Sequence, residues 1–215
     1  MKKMNKPFIL WSHPRSASSQ FLEMYAKDNN LKVNLDEPIK KGCERLDDLL
    51  SKQVSFKIMG YYSTEEITNK IINANYDHIA LFRKDIYRTY LSFAFSKLTD
   101  IWHINQINKG EKSDLDIIKA IVKAKSELFL NVPDTIRDIK SYYEGLNNIY
   151  LHLDKTGVQY KLIETEQAID YLGFKGYQNT DKHYCKLENL HAKDELESFI
   201  QTLEIYKNHD MQSTI

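Results

Sequence analysis

Only two cysteines, four prolines and seven glycines occur in the 215 residues. Cys43 and Cys185 make no disulfide framework, and such sparse use points to a reducing compartment. With so little proline and glycine no stretch reads as an interdomain linker, and no internal repeat is visible. A single domain over residues 1–215 is expected, of a size that buries a real core. A run of about 18 apolar residues is also missing, so no membrane span is predicted. The opening MKKMNK leads into an apolar stretch far too short for a signal-peptide core. Net charge is lacking too, since 30 Lys and Arg balance 30 Asp and Glu. That balance argues against a general nucleic-acid binder. The expectation is a cytoplasmic protein with neither nucleic acid nor membrane as partner.

What is present is an ordinary globular composition, 42% hydrophobic and 12% aromatic. Short apolar runs alternate with longer segments of helical periodicity. Phe8–Ser12, Val54–Met59, His78–Arg83 and Gln159–Glu164 read as core strands. Ser16 is a candidate cap for a helix carrying Phe21, Leu22 and Tyr25. Ser63-Thr64-Glu65-Glu66 has capping-box spacing ahead of Ile67, Ile71 and Ile72. Further helices are expected over Asp85–Lys97, from Ser113 to about Leu130, and from Val132-Pro133-Asp134 to a stop at Thr156-Gly157. Two more, near 165–172 and 192–206, close the chain. Strands alternating with helices predict an α/β fold with a central parallel sheet flanked by helices on both faces.

In such sheets ligands sit beyond the carboxyl ends of the strands. Two charged segments fall there: His13-Pro14-Arg15-Ser16-Ala17-Ser18-Ser19 after the first strand and Arg83-Lys84-Asp85 after the third. A strand–loop–helix turn directs backbone N–H groups and the positive end of a helix dipole at one point. Arg15 adds a fork of donors, and Ser16, Ser18 and Ser19 add hydroxyls. The same residues also fit a plain capped helix with an exposed arginine. The GxxxxGK[ST] pattern is absent, which disfavours an ATPase or a nucleotide kinase of the usual phosphate-loop kind.

Pro14-Arg15-Ser16-Ala17-Ser18-Ser19 resembles the phosphate loop P-[KR]-S-G-[ST]-[ST] of the sulfotransferases. The later ALFRKDIYRTYLSFAFSK resembles that family's second motif, an arginine ending a strand and a serine on the next helix. Its spacing is similar to the bacterial branch typified by trehalose sulfotransferase, as are VSFKIMGYY, Trp102-His103 and GVQYKLIET leading to YLGF. About 160 residues are covered in order, with a P-loop-like sulfotransferase fold implied. The resemblance implies that Pro14 to Ser19 hold the 5′-phosphosulfate of 3′-phosphoadenosine-5′-phosphosulfate (PAPS). It implies that Arg83 and Ser92 hold the 3′-phosphate. Ala17 stands where the family has glycine, so a need for positive φ would weaken the cradle.

The implied reaction moves a sulfuryl group from PAPS to a hydroxyl of a small-molecule or carbohydrate acceptor, with no metal expected. It needs an in-line acceptor, a base, and stabilisation of charge on the leaving phosphate, a role for Arg15. Glu37, in Asp36-Glu37-Pro38, is the first candidate base, since the trehalose-type branch assigns a glutamate in this region. His103 is the second, with an ordinary pKa suited to the work. His13 either touches the leaving phosphate or only shapes the turn. Asp181, His183 and Cys185 fit no usual zinc spacing. The alternative function is a nucleotide-binding or regulatory protein on the same fold, without turnover.

Overall fold

Apolar five- and six-residue runs become the strands of a sheet buried on both faces. The computed structural model describes residues 6–35, 44–62, 64–102, 113, 115–117, 119, 132–172, 187 and 189–212. In chain order its elements are β1 (Phe8–Ser12), α1 (Ser18–Asp28), β2 (Val33–Asn34), α2 (Glu44–Ser51), β3 (Ser55–Met59), a 3₁₀ turn (Gly60–Tyr62) and α3 (Glu65–Ile72). There follow β4 (Asp77–Phe82), α4 (Ile86–Thr99), α5 (Val132–Lys155), β5 (Tyr160–Glu164), α6 (Thr165–Leu172), α7 (Leu190–Ile200) and α8 (Glu204–Gln212). Among the described residues no helix is long and apolar enough to cross a membrane.

The described residues group into two compact units. The first comes from Met1–Lys84, Ser141–Leu172 and Gln201–Ile215, the second from Asp85–Lys140 and Gly173–Ile200. The first unit holds a five-stranded, all-parallel sheet in the order β2-β3-β1-β4-β5. Every residue of β1 and β3 is buried, as a central strand covered on both faces requires. Side chains alternate between faces, and residues in register on neighbouring parallel strands share one. Phe8, which pairs with Asp77, meets Tyr25 of α1 edge-on at 5.3 Å. On the opposite face Phe82 meets Tyr143 of α5 at 6.0 Å and Tyr206 of α8 at 6.3 Å.

The chain therefore leaves β1 toward one face, and Tyr143 of α5 and Tyr206 of α8 pack on the other. The carboxyl ends of β1 and β4 form the point where strand order reverses, the place at which open α/β sheets bind ligands. Beside it, β3 runs into Gly60, whose added Cβ would stand 2.7 Å from the backbone of Gly145 on α5. Any larger residue at either glycine would push the turn and the helix apart. In the second unit α7 meets α4, where the Tyr87 hydroxyl accepts from the Asn189 N–H at 2.9 Å, and the start of α5, where Lys140 pairs with Glu195 at 2.6 Å.

Several sequence expectations shift in detail. Helix α3 is capped by Thr64, whose Oγ1 accepts from the Ile67 N–H, one residue later than the capping-box reading. The third strand starts at Asp77 and ends at Phe82, so Arg83 follows it. The helix expected over 192–206 is two, α7 and α8, because Leu203 and Ile205 are buried and Asn147 Oδ1 caps the second by accepting from the Ile205 N–H at 3.0 Å. Helix α2 and the short β2 were not anticipated. The stop at Gly157 holds, with φ at 68°. The helix expected from Ser113 to about Leu130 lies largely outside the described residues.

Candidate anion site at the end of the first strand

The turn between β1 and α1 is built from alternating backbone conformations. Arg15 has φ 66° and Ala17 φ 57°, both in the left-handed region that favours glycine. Ala17, not Ser16, stands at the N-cap position, and no side chain caps the helix. The Ser16 hydroxyl is turned back, donating to the His13 carbonyl at 2.7 Å, which is why it does not serve as the expected cap.

The carbonyls of this turn are all engaged. That of Pro14 accepts from His13 Nδ1 at 2.9 Å, and that of Arg15 from Arg83 Nη1 at 2.9 Å. The Ser16 carbonyl accepts from Thr165 Oγ1 at 3.2 Å, and the Ala17 carbonyl from the Phe21 N–H at 3.0 Å. The N–H groups are not matched in the same way. Those of Ser16 through Gln20 find no acceptor among the described residues, nor does the Ser18 hydroxyl. A run of N–H groups in such a turn, at a helix N-terminus, makes an anion-binding concavity.

Two cations stand behind it. Lys57, in the middle of β3 and 5% exposed, shares the α1 face of the sheet with Leu10, and its Nζ donates to Ser19 Oγ at 2.6 Å. Arg83, only 1% exposed, braces the turn. Besides its bond to the Arg15 carbonyl, its Nε lies 3.5 Å from Glu166 Oε1 at the start of α6. Its own N–H donates to His13 Nε2 at 3.2 Å, and its carbonyl accepts from the Tyr143 hydroxyl at 2.8 Å.

His13 is thereby fixed as a neutral ring with its proton on Nδ1. It lies 4.2 Å, centroid to centroid, from the Tyr143 ring. Burial, with the nearby Arg83 charge adding to it, pushes its pKa down to about 3 against the bond to Pro14. Of the two roles open to His13, the structure places it in shaping the turn and tying the end of β1 to the end of β4.

The structure thus brings Pro14, Arg15, Ser16, Ala17, Ser18, Ser19 and Arg83 together within the first unit. Ser92 lies buried on α4, in the second unit. Glu37 and His103, the candidate bases, lie outside the described residues. Sequence reading missed Lys57, Thr165 and Glu166 as parts of the site. The signal for Lys57 was a lone lysine inside the otherwise apolar strand SFKIM; Thr165 and Glu166 carry no such signal, since only the fold brings β5 next to β4. No protein-family model matches the chain, and no curated protein or solved structure matches it either.

Proposed function

We propose that this protein is a PAPS-dependent sulfotransferase, and that the turn after β1 holds the 5′-phosphosulfate of the donor. The observation that carries the reading is the asymmetry of the turn: its carbonyls are engaged while the N–H groups of Ser16 through Gln20 have no acceptor among the described residues. Lys57 and Arg83, both buried beside the turn and bonded to it, suit an anionic ligand there better than a neutral one.

The donor supplies an activated sulfuryl group. The acceptor hydroxyl attacks its sulfur in line, the sulfur–oxygen bond to the phosphate breaks, and the proton passes to a base. Glu37 is the first candidate for that base and His103 the second. The turn orients the phosphate and stabilises the charge that builds on it as the bond breaks, which is where preorganised donors contribute most. The acceptor is a small-molecule or carbohydrate hydroxyl.

Calorimetric titration with 3′,5′-adenosine bisphosphate (PAP, the desulfated product), AMP, ADP and ATP side by side tests this reading. A clear preference for PAP supports it and justifies an acceptor screen with PAPS. Equal or tighter binding of ATP would replace it with a nucleotide-phosphate reading.

A further inference from the structure

A buried lysine donating to a serine at the first turn of a helix has a consequence for that serine. Nζ carries three donors and no acceptor, so the Lys57–Ser19 contact occupies a lone pair of Ser19 Oγ and leaves the hydroxyl proton to be given elsewhere. A helical serine ordinarily returns its proton to the carbonyl four residues back. Here that carbonyl belongs to Arg15 and accepts from Arg83. Ser19 donates to no group among the described residues, and it stands in the first turn of α1, whose leading N–H groups have no acceptor there either. The contrast with Ser16, whose hydroxyl is satisfied inside the turn, is direct.

We propose that Lys57 and Ser19 act as one unit, a lysine-polarised hydroxyl that binds the phosphate held by the turn, with Ser19 as the contact and Lys57 as the positioning cation. The unit supplies from β3 the ammonium that a phosphate loop of the usual kind carries within its own sequence. Placed beneath the first turn of α1, it adds charge to the helix terminus and selects for phosphorylated ligands. The proposal rests on the phosphate-binding reading above but not on the identity of the nucleotide.

The test is a double-mutant cycle on the full chain with Lys57→Met, Ser19→Ala and both together, titrated with PAP, AMP and inorganic pyrophosphate. Methionine is close to lysine in length and suits an apolar strand, and thermal melting checks that each variant folds. Lys57→Met is expected to weaken phosphate binding about 10- to 100-fold, the scale of one charge-assisted hydrogen bond. Ser19→Ala should lose about tenfold, and the double variant should bind no more weakly than Lys57→Met alone, because the two residues act together. That coupling in affinity is a signature a purely structural lysine would not produce.

Affinity within about twofold of wild type in Lys57→Met, or losses that simply multiply, would overturn the proposal while PAP preference kept the sulfotransferase reading. Binding of AMP or pyrophosphate without preference for PAP would overturn that reading, and the cycle would still decide the role of Lys57. Failure of wild type to bind any of the three would overturn both. Should Lys57→Met not fold, Lys57→Gln takes its place in the cycle: AMP affinity within about twofold of wild type rejects the unit, and a loss of about tenfold that Ser19→Ala does not deepen upholds it.

Discussion

Helices α3, α4 and α7 begin in one way and α1 in another. Thr64 Oγ1 accepts from the Ile67 N–H at 3.3 Å, Asp85 Oδ1 from Arg88 at 2.8 Å, and Asn189 Oδ1 from Ala192 at 3.1 Å. Each such cap is worth about 1 kcal/mol. Helix α1 has three serines at its start and no side-chain cap, and it is entered through left-handed residues that are not glycine. Both choices cost stability. A protein that caps α3, α4 and α7 in the ordinary way leaves α1, whose N-terminus faces the switch point of the sheet, without a side-chain cap. Departures of this kind gather where a ligand must be held.

If the uncapped turn is held open from behind, its brace should matter most. Replacing Arg83 by alanine removes the donor to the Arg15 carbonyl and leaves Glu166 without its guanidinium, at a cost of about 3–5 kcal/mol. Urea unfolding at pH 7 measures it. A loss below about 1 kcal/mol would mean that Arg83 is not a strut, and would favour the role of 3′-phosphate ligand that the sulfotransferase resemblance implies.

Acid should act on the same brace. His13 in the folded protein takes up a proton only near pH 3, and His78, buried and accepting from the Trp11 indole at 3.1 Å, only near pH 4. In the unfolded chain both titrate near 6.5. Between those values the unfolded state binds more protons, so stability is full above about pH 6.5 and falls as the pH drops. Each histidine should account for about 2 kcal/mol between pH 7 and pH 5. Chemical unfolding across that range should show the decline, and His13→Gln should flatten it. An unchanged slope in His13→Gln would mean that its ring is not held neutral in the fold.

Four of the five strands and the turn that makes the candidate site were legible because each depends on local pattern: an apolar run, then charge, then a helical period. Arg83 was legible as the residue ending β4, but its partners were not, because Arg15, Glu166 and Tyr143 reach it only through sheet order. The serines misled for a related reason. All three are good caps by type, and only the left-handed backbone at Arg15 and Ala17 decides that Ser16 turns inward and Ser19 meets Lys57. Lys57 was visible as an oddity in SFKIM, and the register Leu10 to Lys57 is what aims it at α1.

Capping itself offers a direct comparison. Thr64→Ala should cost about 1 kcal/mol, the usual value for losing a cap, whereas Ser18→Ala should cost almost nothing. Ser18 makes no cap bond to lose, and alanine is the better helix former. Thermal unfolding of the two variants separates the two kinds of helix start, and equal losses would erase the distinction between them.

The smallest effect is the most informative about why the turn is strained. Ala17 at φ 57° carries the left-handed penalty of about 1–2 kcal/mol that glycine avoids. Glycine also loses more freedom on folding, about 0.5–1 kcal/mol relative to alanine. Ala17→Gly should therefore stabilise the protein by about half a kcal/mol, a rise of a degree or two in Tm. The sign matters more than the size. A gain would show that the side chain, not the backbone shape, is what the turn tolerates at a cost, and phosphate affinity should then be kept. A loss of stability would mean that the Ala17 methyl contributes packing that outweighs its strain, and the departure from glycine would be an adaptation of this turn.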